Sequence, residues 1–300
     1  LLREGREEAR KVSPKLLEGG KIQQILVSNE LAAKGIHNVM EIFTRDPINQ
    51  SLAYIVVVEG SPKSLLERAA SFTNKPIPAI YINQLLTNNK NLSNINDATV
   101  SYFNICYYAP GLDPMFPIIR AEEKDVKIAG TALFSKDKMV GRISTQQTTL
   151  LIALSNKLKK AGYLFPSPTS IEKQTNTKEG IVTMIKGAKS KINISMEGKQ
   201  AVADISVKLR INLEEYQWDN MSNRNYQKSI EKFMSDQISN DVLSTIKYAQ
   251  SVGSDPLGIG DKIRAKYSPY FKDSNWDEIY KNTKINVDSQ VEIDQFGIIR

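Results

Sequence analysis

Strict alternation of apolar and polar side chains is the clearest pattern in this sequence, and it runs from residue 201 to 215. From 203 to 214 the odd positions are apolar and the even positions polar, as in a β-strand with one face on a core and the other in water. The turn Glu197-Gly198-Lys199 precedes it, so we predict pairing with a strand at 192–196. The apolar set is Ala203, Ile205, Val207, Leu209, Ile211 and Leu213.

A second alternating stretch near the C-terminus predicts another strand. Ile285, Val287, Val291 and Ile293 share one parity, and mainly polar residues occupy the other. Between the two stretches, apolar residues from Tyr226 to Ala249 recur every three or four positions, which is typical of an amphipathic helix. We therefore expect a long-stranded sheet packed on a long helix, with the Phe233 side chain buried between them.

Short strands and helices alternate in the first part of the chain. Residues 22–27 and the β-branched run 53–58 predict buried strands. Ser61-Pro62 has the arrangement of an N-cap followed by a first helical residue. Residues 30–43 predict one helix, interrupted by Gly35.

A hairpin followed by a helix is predicted in the middle of the chain. Residues 126–134 and 139–143 form the hairpin strands, and Ser135-Lys136-Asp137-Lys138 turns the chain between them. Ser144 and Gln147 have the spacing of a capping box. We expect the helix that they start to end at Gly162.

Three mixed modules follow from these patterns, because 300 residues exceed one ordinary core. The fold class is α+β, with antiparallel or mixed sheets covered by helices. Proline-rich and polar connectors place the boundaries. They give an N-terminal α/β module at 1–118, a hairpin–helix module at 119–172 and a sheet-plus-long-helix module at 173–300.

Composition and charge exclude some classes of protein. The chain is 41% hydrophobic and 24% charged, as in globular proteins. Its longest apolar run, 52–58, is far short of the roughly 20 residues of a membrane span. The net charge is +7, but the lysines are scattered, and the cluster at 157–160 is expected at a helix C-terminus, where cations are favoured. We predict no nucleic-acid partner.

Catalytic and metal-binding residues are scarce. His37 and Cys106 are the single histidine and cysteine, so a Cys–His dyad is conceivable. The simpler interpretation is an inert cysteine in a buried strand and a histidine on an exposed helix. One Cys and one His cannot supply the three or four ligands of zinc. We therefore predict no catalytic, cofactor-binding or metal-binding residue.

Two S-x-x-K sequences leave an enzymatic alternative open. They begin at Ser135 and Ser244, and a serine–lysine hydrolase would use such a serine as its nucleophile. The accompanying S-D-N and K-T-G motifs do not occur in the sequence. An extracytoplasmic solute-binding or cell-wall-associated protein is the other alternative, and solute binding would require a deep cleft with convergent polar groups.

Three motifs carry a family resemblance by their order along the chain. The sequence resembles the Ger(x)C family, which comprises the lipoprotein C subunits of spore germinant receptors. The motifs are Glu30-Leu31-Ala32-Ala33-Lys34-Gly35-Ile36, Ile128-Ala129-Gly130-Thr131-Ala132-Leu133-Phe134, and Asp255-Pro256-Leu257-Gly258-Ile259-Gly260 with Trp276 after it.

The resemblance implies a non-enzymatic subunit on the outer surface of the spore inner membrane. It implies assembly with the integral-membrane A and B subunits of the same receptor and anchoring through an N-terminal lipid. Since the chain starts at Leu1, we expect it to be a fragment, with the lipidated cysteine and the first strands upstream.

The segment from Asp255 to Trp276 is the candidate surface for contact with a partner. Asp255 and Pro256 also have the arrangement of an N-cap and a first helical residue. Packing of Leu257 and Trp276 at the base of the third module is the other interpretation, because buried aromatics usually serve packing. The candidate contact residues are Asp255, Leu257, Gly258, Gly260, Lys262 and Trp276.

Overall fold

Two mixed sheets and the helices around them form the architecture, and the fold class α+β is confirmed. The computed structural model describes residues 4, 8–9, 11–12, 21–45, 51–168, 180–216, 221–272 and 276–296. In these residues the strands are β1 (Gln24–Ser28), β2 (Tyr54–Val58), β3 (Met115–Ala121), β4 (Val126–Ser135), β5 (Lys138–Ile143), β6 (Ala161–Phe165), β7 (Ile181–Glu197), β8 (Gln200–Glu215) and β9 (Lys284–Phe296). The helices are α1 (Asn29–Lys34), α2 (His37–Arg45), α3 (Pro62–Ala70), α4 (Pro78–Asn91), α5 (Val100–Tyr108), α6 (Thr145–Leu154), α7 (Arg224–Val252), α8 (Ile259–Lys266), α9 (Ser268–Lys272) and α10 (Trp276–Asn282).

The first sheet has the order β1-β2-β3-β4-β5. The first three strands are parallel, β4 runs antiparallel to β3, and β5 runs antiparallel to β4. Strand β2 is buried on both faces, as its β-branched run predicts. Ile55 and Val57 pack in one cluster with residues of α1, α2 and α5, whereas Val56 and Val58 pack in another with residues of α3 and α4.

The second sheet has the order β6-β7-β8-β9. The first three strands are antiparallel, and β8 and β9 are parallel. Residues 192–196 pair with 201–205 across the Gly198 turn, as predicted. The apolar parities of β8 and β9 face the core. A parallel pair needs a long crossover, and helices α7 to α10 supply it.

Helix α7 covers the second sheet with its apolar residues from Ile230 to Ile246, and its last turns pack against residues of the first sheet. It ends at Val252, and Gly253, with a φ of 72°, is its left-handed C-cap. Its buried stripe includes Met234 and Ile238. Polar side chains of α7 also accept hydrogen bonds from backbone N–H groups of β9: Ser235 Oγ from Val291 at 2.9 Å and Glu231 Oε1 from Ile293 at 2.9 Å. Helix α7 therefore satisfies N–H groups of β9 that its pairing with β8 leaves free.

The expectation that Phe233 is buried is only partly right. Its side chain is half-buried and packs at the border of the cluster, whereas the adjacent Met234 is fully buried. One helical position turns a side chain by about 100°, so Phe233 lies at the edge of the apolar stripe.

Replacement of Met234 by alanine is expected to lower the free energy of unfolding by about 2–5 kcal/mol, because it leaves a cavity in the core. Phe233→Ala is expected to cost less than Met234→Ala, because its side chain is already partly in water. Lys232→Ala, at an exposed position of the same helix, is the control. Denaturant unfolding measures the loss of unfolding free energy in each of the three variants. A larger loss for Phe233→Ala than for Met234→Ala would contradict this packing.

Helix α6 lies between the two sheets, and its residues from Thr148 to Leu154 are all buried. Leu151 and Ile152 pack in a cluster with residues of β3, β4 and β5, while Leu150 and Leu154 pack in the core of the second sheet. Thr148 Oγ1 donates to Thr131 Oγ1 of β4 at 2.8 Å. A single short helix therefore contributes to both cores.

The N-terminal end of α6 agrees with prediction, but its C-terminal end does not. Ser144 and Gln147 form the capping box. The helix ends at Leu154 rather than at Gly162, which lies in β6. Asn156 has a φ of 56°, in the left-handed region that a helix cannot continue. The local stop is therefore the asparagine, not the glycine.

Two further expectations are corrected. Cys106 is buried, but in helix α5 rather than in a strand. A short, largely apolar run such as the one around Cys106 fits either a buried helix or a buried strand, so periodicity cannot separate the two. Gly35, with a φ of 116°, ends α1, so residues 30–43 belong to two helices instead of one.

The strands group into two sheets rather than into three modules with separate sheets. Strand β3 spans residue 118, and the hairpin of the predicted middle module extends the first sheet. Strand β6, from the same predicted module, belongs to the second sheet. The boundary at 172 lies outside the described residues, and the domain boundaries stay a prediction.

Candidate functional site

The turn between α7 and α8 is organised around a buried aspartate. Asp255 Oδ1 accepts a hydrogen bond from the N–H of Ile259 at 3.0 Å, and Oδ2 accepts one from Gly260 at 2.8 Å. Asp255 is not the N-cap residue that we expected, because the helix begins at Ile259 with Gly258 as its N-cap. The Asp255 carboxylate nevertheless accepts hydrogen bonds from the first free N–H groups of the helix.

A second buried aspartate binds Asp255 to the first sheet. Asp113, in the loop before β3, accepts the N–H of Asp255 at 2.9 Å and that of Lys136 at 2.8 Å. The Asp113 N–H donates to the Asp255 carbonyl at 2.9 Å. Lys136 lies in the β4–β5 turn, and its Nζ donates to Ala109 O at 2.5 Å. These bonds join the hairpin, the loop before β3 and the start of α8.

Burial controls the ionisation of this cluster. It raises the pKa of Asp255 from 3.8 to about 7, against the opposing effect of the backbone N–H groups of Gly260 and Ile259. The nearby charge of Asp113 acts in the same direction as burial. Burial also raises the pKa of Tyr280 well above its ordinary value, so its hydroxyl stays neutral. The Asp255 carboxyl group therefore titrates near neutral pH.

Two glycines allow the backbones of the two halves to touch. A Cβ on Gly111 would lie 2.4 Å from the carbonyl carbon of Gly260, and a Cβ on Gly260 would lie 2.4 Å from Trp276 Cζ2. Asp261 donates its N–H to Gly111 O at 3.0 Å. Trp276 also lies against Phe271 and Tyr280, with ring centroids 5.5 Å apart in each pair.

The predicted contact residues divide into two groups. Asp255, Gly258 and Gly260 are buried within the chain, and Trp276 is half-buried in its aromatic cluster. Leu257 is half-buried and Lys262 is exposed. Sequence reasoning missed Gly111 and Asp113, because the loop that holds them was interpreted only as a domain boundary.

Leu257 and Lys262 both line a cleft of about 860 Å³ between the two halves of the molecule. One wall comes from the end of α4, the segment after it and α5. The opposite wall comes from the end of α6 and the turn after it, from β7 and from the start of α8.

The residues considered for catalysis are not brought into a recognisable active site. Burial raises the pKa of the Cys106 thiol to about 12, which makes it a poor nucleophile. The His37 ring is half-buried and stacks on Tyr107 at 4.1 Å between centroids. Ser135 ends β4 at the hairpin turn, and Ser244 Oγ donates to the Asp241 carbonyl within α7 at 3.0 Å.

The described part of the chain offers neither a metal-binding cluster nor a helix able to cross a membrane. Among those residues, no group of three or more His, Cys, Asp or Glu side chains is placed to hold a metal ion. None of the helices described there combines the length and apolar character that a membrane crossing requires.

Comparisons with known proteins cover nearly the whole chain. The family described as "Spore germination B3/ GerAC like, C-terminal" matches residues 129–297, and "Spore germination protein N-terminal domain" matches residues 1–121. Spore germination protein GerQC of Bacillus cereus is 24% identical over 305 aligned residues, which cover 98% of this chain and 80% of GerQC.

Two further proteins extend the comparison. Putative spore germination protein YfkR of Bacillus subtilis (strain 168) is 23% identical over 290 residues, covering 92% of this chain and 71% of YfkR. The crystal structure of the GerBC protein matches the fold with a TM-score of 0.68 at 20% identity, covering 96% of this chain and 83% of that one. Because the C-terminal family match alone spans more than half of its residues, the chain belongs to the GerAC family of spore germinant receptor C subunits.

Proposed function

We propose that this chain is a non-enzymatic lipoprotein subunit of a nutrient germinant receptor, needed for assembly of the receptor and for its signalling. The supporting observation is the match of both halves of the chain to spore germination families. The subunit is held by an N-terminal lipid on the outer surface of the spore inner membrane. Its partners there are the integral-membrane A and B subunits.

Deletion of the gene tests this role. Spores without it are expected to lose their response to one class of nutrient and to keep the response to unrelated germination triggers. Complementation by the full-length gene is the control. Unchanged germination with every nutrient would contradict the proposal. Labelling of Ser135 or Ser244 by a fluorophosphonate probe would contradict its non-enzymatic part.

We assign the partner contact to the accessible members of the segment between Asp255 and Trp276. Leu257 and Lys262 are the candidates, because both line the cleft. Lys262 is exposed, whereas Leu257 is half-buried and also packs against the core. The buried members hold them in place, since the Asp255 carboxylate caps the helix that carries Lys262.

Charge reversal at Lys262 separates contact from packing. Lys262→Glu is expected to leave the melting temperature unchanged, because the side chain is exposed, and to reduce recovery of the A and B subunits with this chain. Trp276→Ala is expected instead to cost about 2–4 kcal/mol of stability, somewhat less than a fully buried tryptophan. Lys247→Glu, exposed on α7, is the matched control. Normal assembly with Lys262→Glu would remove Lys262 from the contact.

A further inference from the structure

Positive charge dominates the cleft between the two halves. Among the described residues that line it, Asp97 is the only acidic one, and five are lysines. Lys90 forms an ion pair with Asp97 at 2.6 Å, and Lys159 Nζ donates to Asn91 Oδ1 at 3.0 Å. The remaining three ammonium groups have no ion pair or hydrogen bond to any residue that the structure describes. These three are Lys157, Lys191 and Lys262.

The backbone around Lys157 fixes its position relative to β7. Asn156 adopts the left-handed conformation, which asparagine tolerates better than most residues. Its side chain donates from Nδ2 to Ser190 O at 2.9 Å and accepts the Ser190 N–H at 2.7 Å. The turn that carries Lys157 is thereby held against the strand that carries Lys191.

The same turn is also fastened to the opposite wall. Ser93, another residue with positive φ, is buried and accepts the N–H of Lys159 on its Oγ at 3.0 Å. Its carbonyl accepts Thr149 Oγ1 of α6 at 3.0 Å. Hydrogen bonds to both walls therefore fix the position of this turn. The part of the cleft that carries Lys157 is held by these bonds.

The three lysines line a common cleft although they come from three separate elements. Cations are favoured after the C-terminus of α6, which accounts for Lys157 alone. Lys191 belongs to β7 and Lys262 to α8, so the end of α6 does not explain their positions. Like charges gathered without acidic partners repel one another, and a bound anion would relieve that repulsion.

The cleft also has apolar surface. Leu52 and Ile105 line it and are 69% and 65% exposed, while the buried Ile95 and Met115 form part of its wall. Ligand sites commonly combine apolar walls with a few convergent polar groups. Ser190 Oγ, in β7, is shielded from water and has no hydrogen-bond partner in the described part of the chain.

We propose that this cleft binds a small amphiphilic anion. Its phosphate or carboxylate group lies between Lys157, Lys191 and Lys262, and its apolar part lies against Leu52 and Ile105. The head group of a membrane lipid and a free organic anion share this chemistry. The isolated chain is sufficient to test this binding, so the test does not depend on receptor assembly.

The test compares two double variants of the 300-residue chain. Lys157→Gln/Lys191→Gln removes two cleft charges and leaves Lys262 in place for its proposed partner contact. Lys228→Gln/Lys232→Gln removes two exposed charges from α7 and serves as the control with the same net charge. The probes are dihexanoyl phosphatidylglycerol below its micelle concentration, and vesicles of phosphatidylcholine with or without phosphatidylglycerol. Calorimetry measures binding of the soluble lipid, and co-sedimentation measures binding to the vesicles.

The cleft variant is expected to bind about tenfold more weakly than the control, because each exposed ion pair changes affinity by a few-fold. Both variants are expected to keep the wild-type melting temperature, because the substituted side chains lie at the surface and hold no other element in place. Cleft-dependent binding of the soluble probe without binding of vesicles supports a free anion. Cleft-dependent binding of anionic vesicles, with or without binding of the soluble probe, supports a lipid head group. Equal losses in both variants, or no binding by the wild-type chain, would overturn the proposal.

Discussion

Replacement of Gly111 by alanine is expected to destabilise the protein by about 3 kcal/mol or more, at the upper end of the range for overpacked interiors. The new methyl group would lie 2.4 Å from the carbonyl carbon of Gly260 and 2.6 Å from the Asp261 nitrogen. Both are backbone atoms at the start of a helix, so they cannot move aside as a side chain would. The two halves would have to separate, and thermal or denaturant unfolding measures the loss.

Gly162→Ala is the matched control for this experiment. Gly162 lies in β6, and a methyl group added there would have no described atom within 4 Å beyond its own chain neighbours. We expect a change of no more than about 0.5 kcal/mol, as for substitutions that touch nothing. Wild-type stability in Gly111→Ala would contradict the contact between Gly111 and Gly260.

A decline of stability between about pH 4 and pH 7 is the second large expected effect, and it originates at Asp255. Its pKa is about 7 in the folded chain against an ordinary 3.8, so the folded state holds the proton more tightly than the unfolded state. The stabilisation from this proton is fully present at pH values below the pKa of Asp255 in the unfolded chain. It is lost as the pH rises through the pKa of Asp255 in the folded chain. A difference of this size corresponds to roughly 4 kcal/mol.

Asp255→Asn isolates this effect, because asparagine does not titrate. The free energy of unfolding of the wild type relative to the variant is expected to fall as the pH rises and to become constant above about pH 7. Asparagine supplies one acceptor oxygen instead of two, so the variant is expected to be less stable at every pH. The test of the raised pKa is therefore how the stability difference between wild type and variant changes with pH. Asp261→Asn, on the same helix beside Arg264, is the control. A pH-independent difference between wild type and Asp255→Asn would disprove the raised pKa.

Elements with local patterns could be predicted from the sequence. The alternation from 201 to 215 predicted strand β8, and the Ser144–Gln147 spacing predicted the start of α6. The largely apolar segment around Cys106 was wrongly assigned to a strand, because so short a segment has no clear period to distinguish a helix from a strand. The end of α6 was misplaced because asparagine is a weaker stop signal than glycine.

The candidate site could be predicted only in part, for a reason of distance along the chain. The sequence pointed to Asp255, but as the N-cap residue of the helix, a position that Gly258 occupies in the structure. Its partner Asp113 is 142 positions away, and no local pattern links the two. Likewise, the lysines of the cleft come from a turn, a strand and a helix, and only tertiary packing brings them together.

The pairing of β3 with β4 has a consequence for exchanging parts between related receptor subunits. The two family matches end and begin at residues 121 and 129, which makes the junction between them an obvious place to join halves of different proteins. Ala121 pairs with Val126 and Met115 with Leu133, so such a chimera would pair a strand from one parent with a strand from the other. A chimera of two such subunits should therefore keep residues 115–154 from one parent, so that the hairpin and helix α6 stay together.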